Sequence, residues 1–128
     1  MNDLIIAPSE KTPGVDLSQG ILFFHGRSII NNTKSFFEPI FAWVRHYLKN
    51  PAELTAVTIK LEYIDSPSLQ ALFQLLQQLK ELGQNGHVLL VNWYYIYGDL
   101  EMLELGHMVQ ERLEIEFDFY EFQPEHID

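Results

Sequence analysis

Thr55-Ala56-Val57-Thr58-Ile59-Lys60-Leu61-Glu62-Tyr63-Ile64-Asp65-Ser66-Pro67-Ser68-Leu69 passes from one kind of periodicity to another. Val57, Ile59, Leu61 and Tyr63 alternate along its first part, and Thr58 and Ile64 add β-branched character. That is the pattern of a strand. From Leu69 the period lengthens, and Leu69, Leu72, Phe73, Leu76 and Leu79 fall on one face of a helix. A strand that runs straight into an amphipathic helix points to an α/β fold.

Working outward, the same alternation of elements continues. Gly83 is placed to stop the helix in the left-handed conformation that glycine tolerates. His87 to Tyr95 reads as a strand, and its run Val88-Leu89-Leu90-Val91 predicts burial on both faces. Asp99 follows Gly98 as the N-cap of a third helix, with Glu101 in the first turn where the helix dipole favours an anion. Glu114 to Phe122 alternates Ile115, Phe117 and Phe119 with Glu116, Asp118 and Tyr120, which predicts a strand with an acidic face near a sheet edge.

On the N-terminal side, Phe37, Ile40, Phe41, Val44 and Leu48 recur at helical spacing over residues 33–49. Pro39 lies inside that span. The helix therefore starts at Asn32 and bends, or it starts at Ser35, where Ser35 and Glu38 form a capping-box pattern. Asn50-Pro51 stops it. Leu4 to Ala7 and Ile21 to His25 read as two short strands, the second closed by Gly26. They pair as an antiparallel hairpin across a long loop broken by Pro8, Pro13, Gly14 and Gly20. The resulting order is β-β-α-β-α-β-α-β: a mixed sheet of about five strands with three main helices, the later strands parallel.

Residues 1–128 form one domain by length, large enough to bury roughly two thirds of its unfolded surface. Apolar residues make up 47%, which is inconsistent with a disordered chain. The absence of cysteine removes disulfides, thiolate metal sites and cysteine nucleophiles together, and fits a cytoplasmic location. No apolar run is long enough for a membrane span, and no secretory signal pattern opens the chain. The net charge of −10 opposes binding to nucleic acid and to anionic membranes, and favours protein partners with basic patches.

Few residues are arranged for chemistry. No nucleophile elbow, phosphate-binding glycine loop or dinucleotide fingerprint occurs, so no catalytic residue or cofactor is expected. Glu101, Glu104 and His107 share a helix face, but a di-iron site needs a second copy of that pattern, so no metal is expected. Ser66-Pro67 satisfies the preferences for an N-cap and a first helical residue. A phosphate on that serine would also meet the positive end of the helix dipole. Local pattern alone leaves a plain cap and a phosphorylation site both open. Trp93, Tyr94, Tyr95 and Tyr97 form an aromatic cluster whose members divide between core and surface by strand alternation.

Several of these stretches, taken in order, resemble one family. They are Lys11-Thr12-Pro13, Gly26-Arg27-Ser28, Trp43 within the first helix, Leu61-Glu62-Tyr63 before the serine, and Val91-Asn92-Trp93-Tyr94-Tyr95. Together they resemble the SiaC family of bacterial regulatory phosphoproteins. The resemblance implies a fold similar to STAS domains, the fold of anti-anti-sigma factors. It implies a non-catalytic adaptor in cyclic di-GMP and biofilm signalling, phosphorylated by a cognate protein kinase and restored by a PP2C-type phosphatase. In the best-known system of the family the unphosphorylated adaptor activates a diguanylate cyclase. The family's modified threonine falls on Ser66 here, which makes Tyr63, Asp65, Pro67 and Ser68 the expected partner interface. Asp65-Ser66-Pro67-Ser68 stands where the family usually has Asn-Thr-Ser-Ser. The competing expectation is a small-ligand-binding module in which Ser66 only caps, with Trp93 and Tyr95 lining an apolar pocket.

Overall fold

The computed structural model describes residues 2–124. Its elements run β1 (Leu4–Ile6), β2 (Gly14–Ser18), β3 (Ile21–Ser28), α1 (Thr33–Tyr47), β4 (Leu54–Ile64), α2 (Ser66–Leu79), α3 (Glu81–Gln84), β5 (Val88–Ile96), α4 (Leu100–Leu113) and β6 (Phe117–Phe122). The six strands lie in one sheet in chain order. β1, β2 and β3 form an antiparallel meander, and β3 to β6 are parallel. The α/β class and the parallel C-terminal half agree with the sequence reading.

A sheet that grows in one direction through crossovers of one hand places every helix on the same face. Burial follows that rule. Leu22 and Phe24 of β3, Val57, Ile59 and Leu61 of β4, and Val91 and Trp93 of β5 share a core with Ile40 and Val44 of α1, Leu72, Leu75 and Leu76 of α2, and Val109 and Leu113 of α4. The opposite face is open. Ile21, Leu90 and Tyr120 are exposed there, and Lys60 extends its ammonium over Tyr94 and Phe122 at 5.3 and 5.1 Å from the ring centroids. β5 is thus buried on one face only. Its apolar run overstates its burial, because Val88 and Leu90 face solvent while Val91 and Trp93 face the helices.

Other elements depart from the sequence reading in detail. Among the described residues there are six strands where about five are expected, because Gly14–Ser18 forms β2 directly after Pro13. β1 therefore pairs with β2, and the hairpin from β1 to β3 does not form. α1 starts at Thr33, capped by Asn32, whose Oδ1 accepts from Ser35 N at 3.3 Å. The Ser35 start is overturned, and Pro39 remains inside the helix. Gly83 lies within α3, and the left-handed turn falls on Gly86 at φ 86°. β6 starts at Phe117, since Glu114 leaves α4 in the left-handed region at φ 56°. β6 does end the sheet, with Asp118 and Tyr120 exposed, as its alternation predicts.

β3 does not stop at Gly26. It continues to Ser28 through a register shift between Gly26 and Arg27, with Gly26 at φ 97°. A bulge of this kind bends the strand and re-aims the side chains beyond it. Here it sets Arg27 beside Tyr63 and Ser28 beside Ile64, next to the end of β4. No helix among the described residues is long and apolar enough to cross a membrane.

Candidate functional site

β4 ends at Ile64, and the chain turns at Asp65 (φ −83°, ψ 169°) into α2. Asp65 is the N-cap, which displaces Ser66 from the role its sequence context predicts. The Asp65 carboxylate bridges two segments. Its Oδ1 accepts from Ser68 N at 2.9 Å, and its Oδ2 accepts from Ile30 N in the β3–α1 loop at 3.1 Å. The backbone is tied as well: Asp65 N donates to Ser28 O, and Leu69 N donates to Asp65 O, both at 2.9 Å. A hydroxyl at position 65 could cap α2, but two oxygens are needed to cap it and hold the loop. That difference explains why the cap falls one residue earlier than the Ser-Pro pattern indicates.

Ser66 is consequently the first helical residue, and its side chain is exposed. Pro67 comes next, also exposed, and Tyr63 is 54% exposed on the preceding strand. Asp65 is half-buried and Ser68 fully buried, with its Oγ lacking a hydrogen-bond partner among the described residues. Of the five residues the sequence brings forward, Tyr63, Ser66 and Pro67 present a surface. Asp65 shapes it, and Ser68 lies beneath it, which removes its side chain from direct partner contact.

Two grooves flank α2, one lined in part by Ser66 and the other by its neighbour Pro67. One, of about 370 Å³, lies between α2 and α4 and is lined by Ser66, Leu69, Gln70, Phe73, Met108, Val109 and Arg112. The other, of about 630 Å³, lies between α1 and α2, with Pro67, Lys34, Phe37, Phe41, Ala71 and Arg45 among its walls. A third hollow groups Glu62 and Tyr63 with Asp99 and Glu101 at the start of α4. Arg27 Nη2 stands 3.8 Å from Glu62 Oε1, an exposed pair of small energetic weight. The sequence reading did not bring Arg27, Ile30, Lys34 or Arg112 to this site. They lie on other elements, and only the bulge in β3 and the packing of α1 and α4 place them near α2.

The ligand-pocket expectation fails at its walls. Trp93 is wholly buried, its indole Nε1 donating to Met102 O at 3.0 Å, and Gly106 of α4 lies directly against its ring. Tyr95 instead donates to Glu121 Oε1 at 3.1 Å. Partial desolvation, that hydrogen bond and the Glu121 charge all raise the phenol's pKa. His107, the residue that closes the Glu101-Glu104 spacing, stacks on Phe119 with centroids 4.0 Å apart.

Comparison with known proteins agrees with this geometry. Residues 6–122 match the family described as SiaC family regulatory phosphoprotein. An uncharacterized protein of Pseudomonas aeruginosa strain UCBPP-PA14 is 26% identical over 113 residues, covering 87% of this chain and 90% of that protein. Among solved structures, SiaC of Pseudomonas aeruginosa superposes with a TM-score of 0.82 at 25% identity, over 97% of this chain and all of that one. The crystal structure of diguanylate cyclase SiaD in complex with its activator SiaC, from the same organism, matches with a TM-score of 0.86 at 24% identity. That match spans 94% of this chain and 100% of the other.

Proposed function

Because the chain belongs to the SiaC family of regulatory phosphoproteins, we propose that it is an adaptor switched by reversible phosphorylation of Ser66. The observation that carries the reading is the placement of Ser66: an exposed residue at the first position of a helix, on a backbone tied down by Asp65, lining one groove beside α2 while Pro67 lines another. A kinase can reach the hydroxyl without unfolding anything, and a partner can contact the surface around it. In the forward step Ser66 Oγ attacks the γ-phosphorus of a nucleoside triphosphate. The new P–O bond forms as the nucleoside diphosphate leaves, and the hydroxyl proton passes to a base of the kinase. In the reverse step a PP2C-type phosphatase adds water, restores the hydroxyl and releases inorganic phosphate.

The effector we propose is a diguanylate cyclase, activated in the cytoplasm by the unmodified form. The solved pairing of the similar SiaC with SiaD supports it. New charge in a desolvated interface costs several kcal/mol by order of magnitude, so phosphorylation would release such a partner. Co-expression with a candidate kinase, followed by intact-mass measurement, should show one added phosphoryl group on wild type and none on Ser66→Ala. No addition to wild type, or equal addition to both, rejects Ser66 as the acceptor. Ser66→Asp should fold normally and bind the cyclase more weakly than wild type, and equal binding would count against charge as the signal.

A further inference from the structure

A phosphate on the first residue of a helix ordinarily meets free backbone N–H groups. α2 offers almost none. Pro67, at the second position, has no N–H. Ser68 N already donates to Asp65 Oδ1, and Leu69 N to Asp65 O, each at 2.9 Å. That leaves the N–H of Ser66 itself. The terminus is thus occupied by the protein's own carboxylate before any phosphate arrives, and that carboxylate is anchored a second time by Ile30 N at 3.1 Å.

On the reading of Ser66 as the modified residue, we infer that Asp65 and Pro67 together close the end of α2 to its phosphate, so the added charge projects outward to the partner. Asp65 acts as a positioning residue and Pro67 as the missing donor. The charged groups around Ser66 come from several elements. Asp65 adjoins it, Glu62 lies on β4 with Arg27 of β3 at 3.8 Å, and Asp99 and Glu101 share a hollow with Glu62. Lys34, Glu38 and Arg45 of α1 share a groove with Pro67, and Arg112 of α4 shares one with Ser66. Arg112 is exposed and makes no ion pair among the described residues. The fixed Asp65 carboxylate opposes the second ionisation of the phosphate, and no N–H cradle offsets it.

The test installs phosphoserine at position 66 during translation, which needs no kinase. Failure of the kinase assay would therefore count against the switch without touching this inference. A phosphorus NMR titration should place the second ionisation at or above the value of a phosphoserine in an unfolded peptide, about 6. Pro67→Ala, which supplies the missing N–H, should move it downward. Amide exchange at Ile30 and Ser68 should stay as protected as in the unmodified protein.

A second ionisation well below the peptide value overturns the inference. If Arg112→Gln then restores the peptide value, the arginine holds the phosphate; if it does not, the helix terminus does. Lost protection at Ile30 or Ser68 means that the phosphate displaces Asp65, which also overturns it. No downward shift in Pro67→Ala removes the role given to that proline.

Discussion

Thr55 near one end of β4 and Ser68 just past the other are both fully buried hydroxyl residues, and the protein treats them in opposite ways. At the Thr55 end the hydroxyls close on one another. Tyr47 Oη lies 2.7 Å from Thr55 Oγ1 and accepts from Gly20 N at 3.1 Å and Ala52 N at 3.2 Å. One phenol thus joins α1, β4 and two loops. At the Ser68 end, Ser68 Oγ and nearby Ser28 Oγ are buried without a hydrogen-bond partner among the described residues. The connecting work there falls on the Asp65 carboxylate. One end is built for cohesion. The other holds its backbone with a single side chain and leaves Ser66 and Tyr63 facing outward.

The contrast can be broken at either end. The largest effect is expected from Tyr47→Phe. It keeps the ring but strands Gly20 N, Ala52 N and the Thr55 hydroxyl, and each buried orphan costs about 1–3 kcal/mol. Partial access to water at Ala52 brings the expected loss to about 3 kcal/mol. Urea denaturation measures it, and a loss below about 1 kcal/mol would show that the cluster is not what secures that end.

Asp65→Ala comes next. An N-cap is worth about 0.5–2 kcal/mol, and the bond from Ile30 N adds about 1, so the variant should lose about 2 kcal/mol. Amide exchange should report faster opening at Ile30 as well as at Ser68. Faster exchange at Ser68 alone would mean that Asp65 caps α2 without holding the β3–α1 loop. The smallest effect is expected from Ser68→Ala, which removes a buried hydroxyl that bonds to nothing among the described residues. Thermal unfolding should place this variant level with wild type or above it by up to about 1 kcal/mol. A clear destabilisation would mean that the hydroxyl is satisfied after all and that the two ends are more alike than their bonds indicate.

These differences mark where sequence reasoning succeeds. The strand of β4, the helical face of α2 and the Asp99 cap of α4 are legible because each is set by local periodicity or local capping. Asp99 does accept from Met102 N at 3.1 Å, as its position predicts. The Asp65 cap is not legible, for a non-local reason. Ser66-Pro67 reads as cap and first residue, and only the partnership with Ile30, 35 residues away, favours a carboxylate at the turn. The burial of β5 departs from its pattern because an apolar run on a parallel strand implies helices on both faces, and here every helix lies on one.

The alternation of strands and helices, the start of a helix beside Ser66 and the ordered stretches that resemble the SiaC family are all written in the linear chain. Periodicity, capping preferences and motif order are properties of neighbours along the chain. Which side chain caps α2, which hydroxyl stays exposed, and which cations line the grooves beside Ser66 and Pro67 were settled by tertiary packing alone. Those outcomes depend on a bulge in β3, a loop before α1 and the packing of α4, segments brought together by the sheet and not by sequence adjacency.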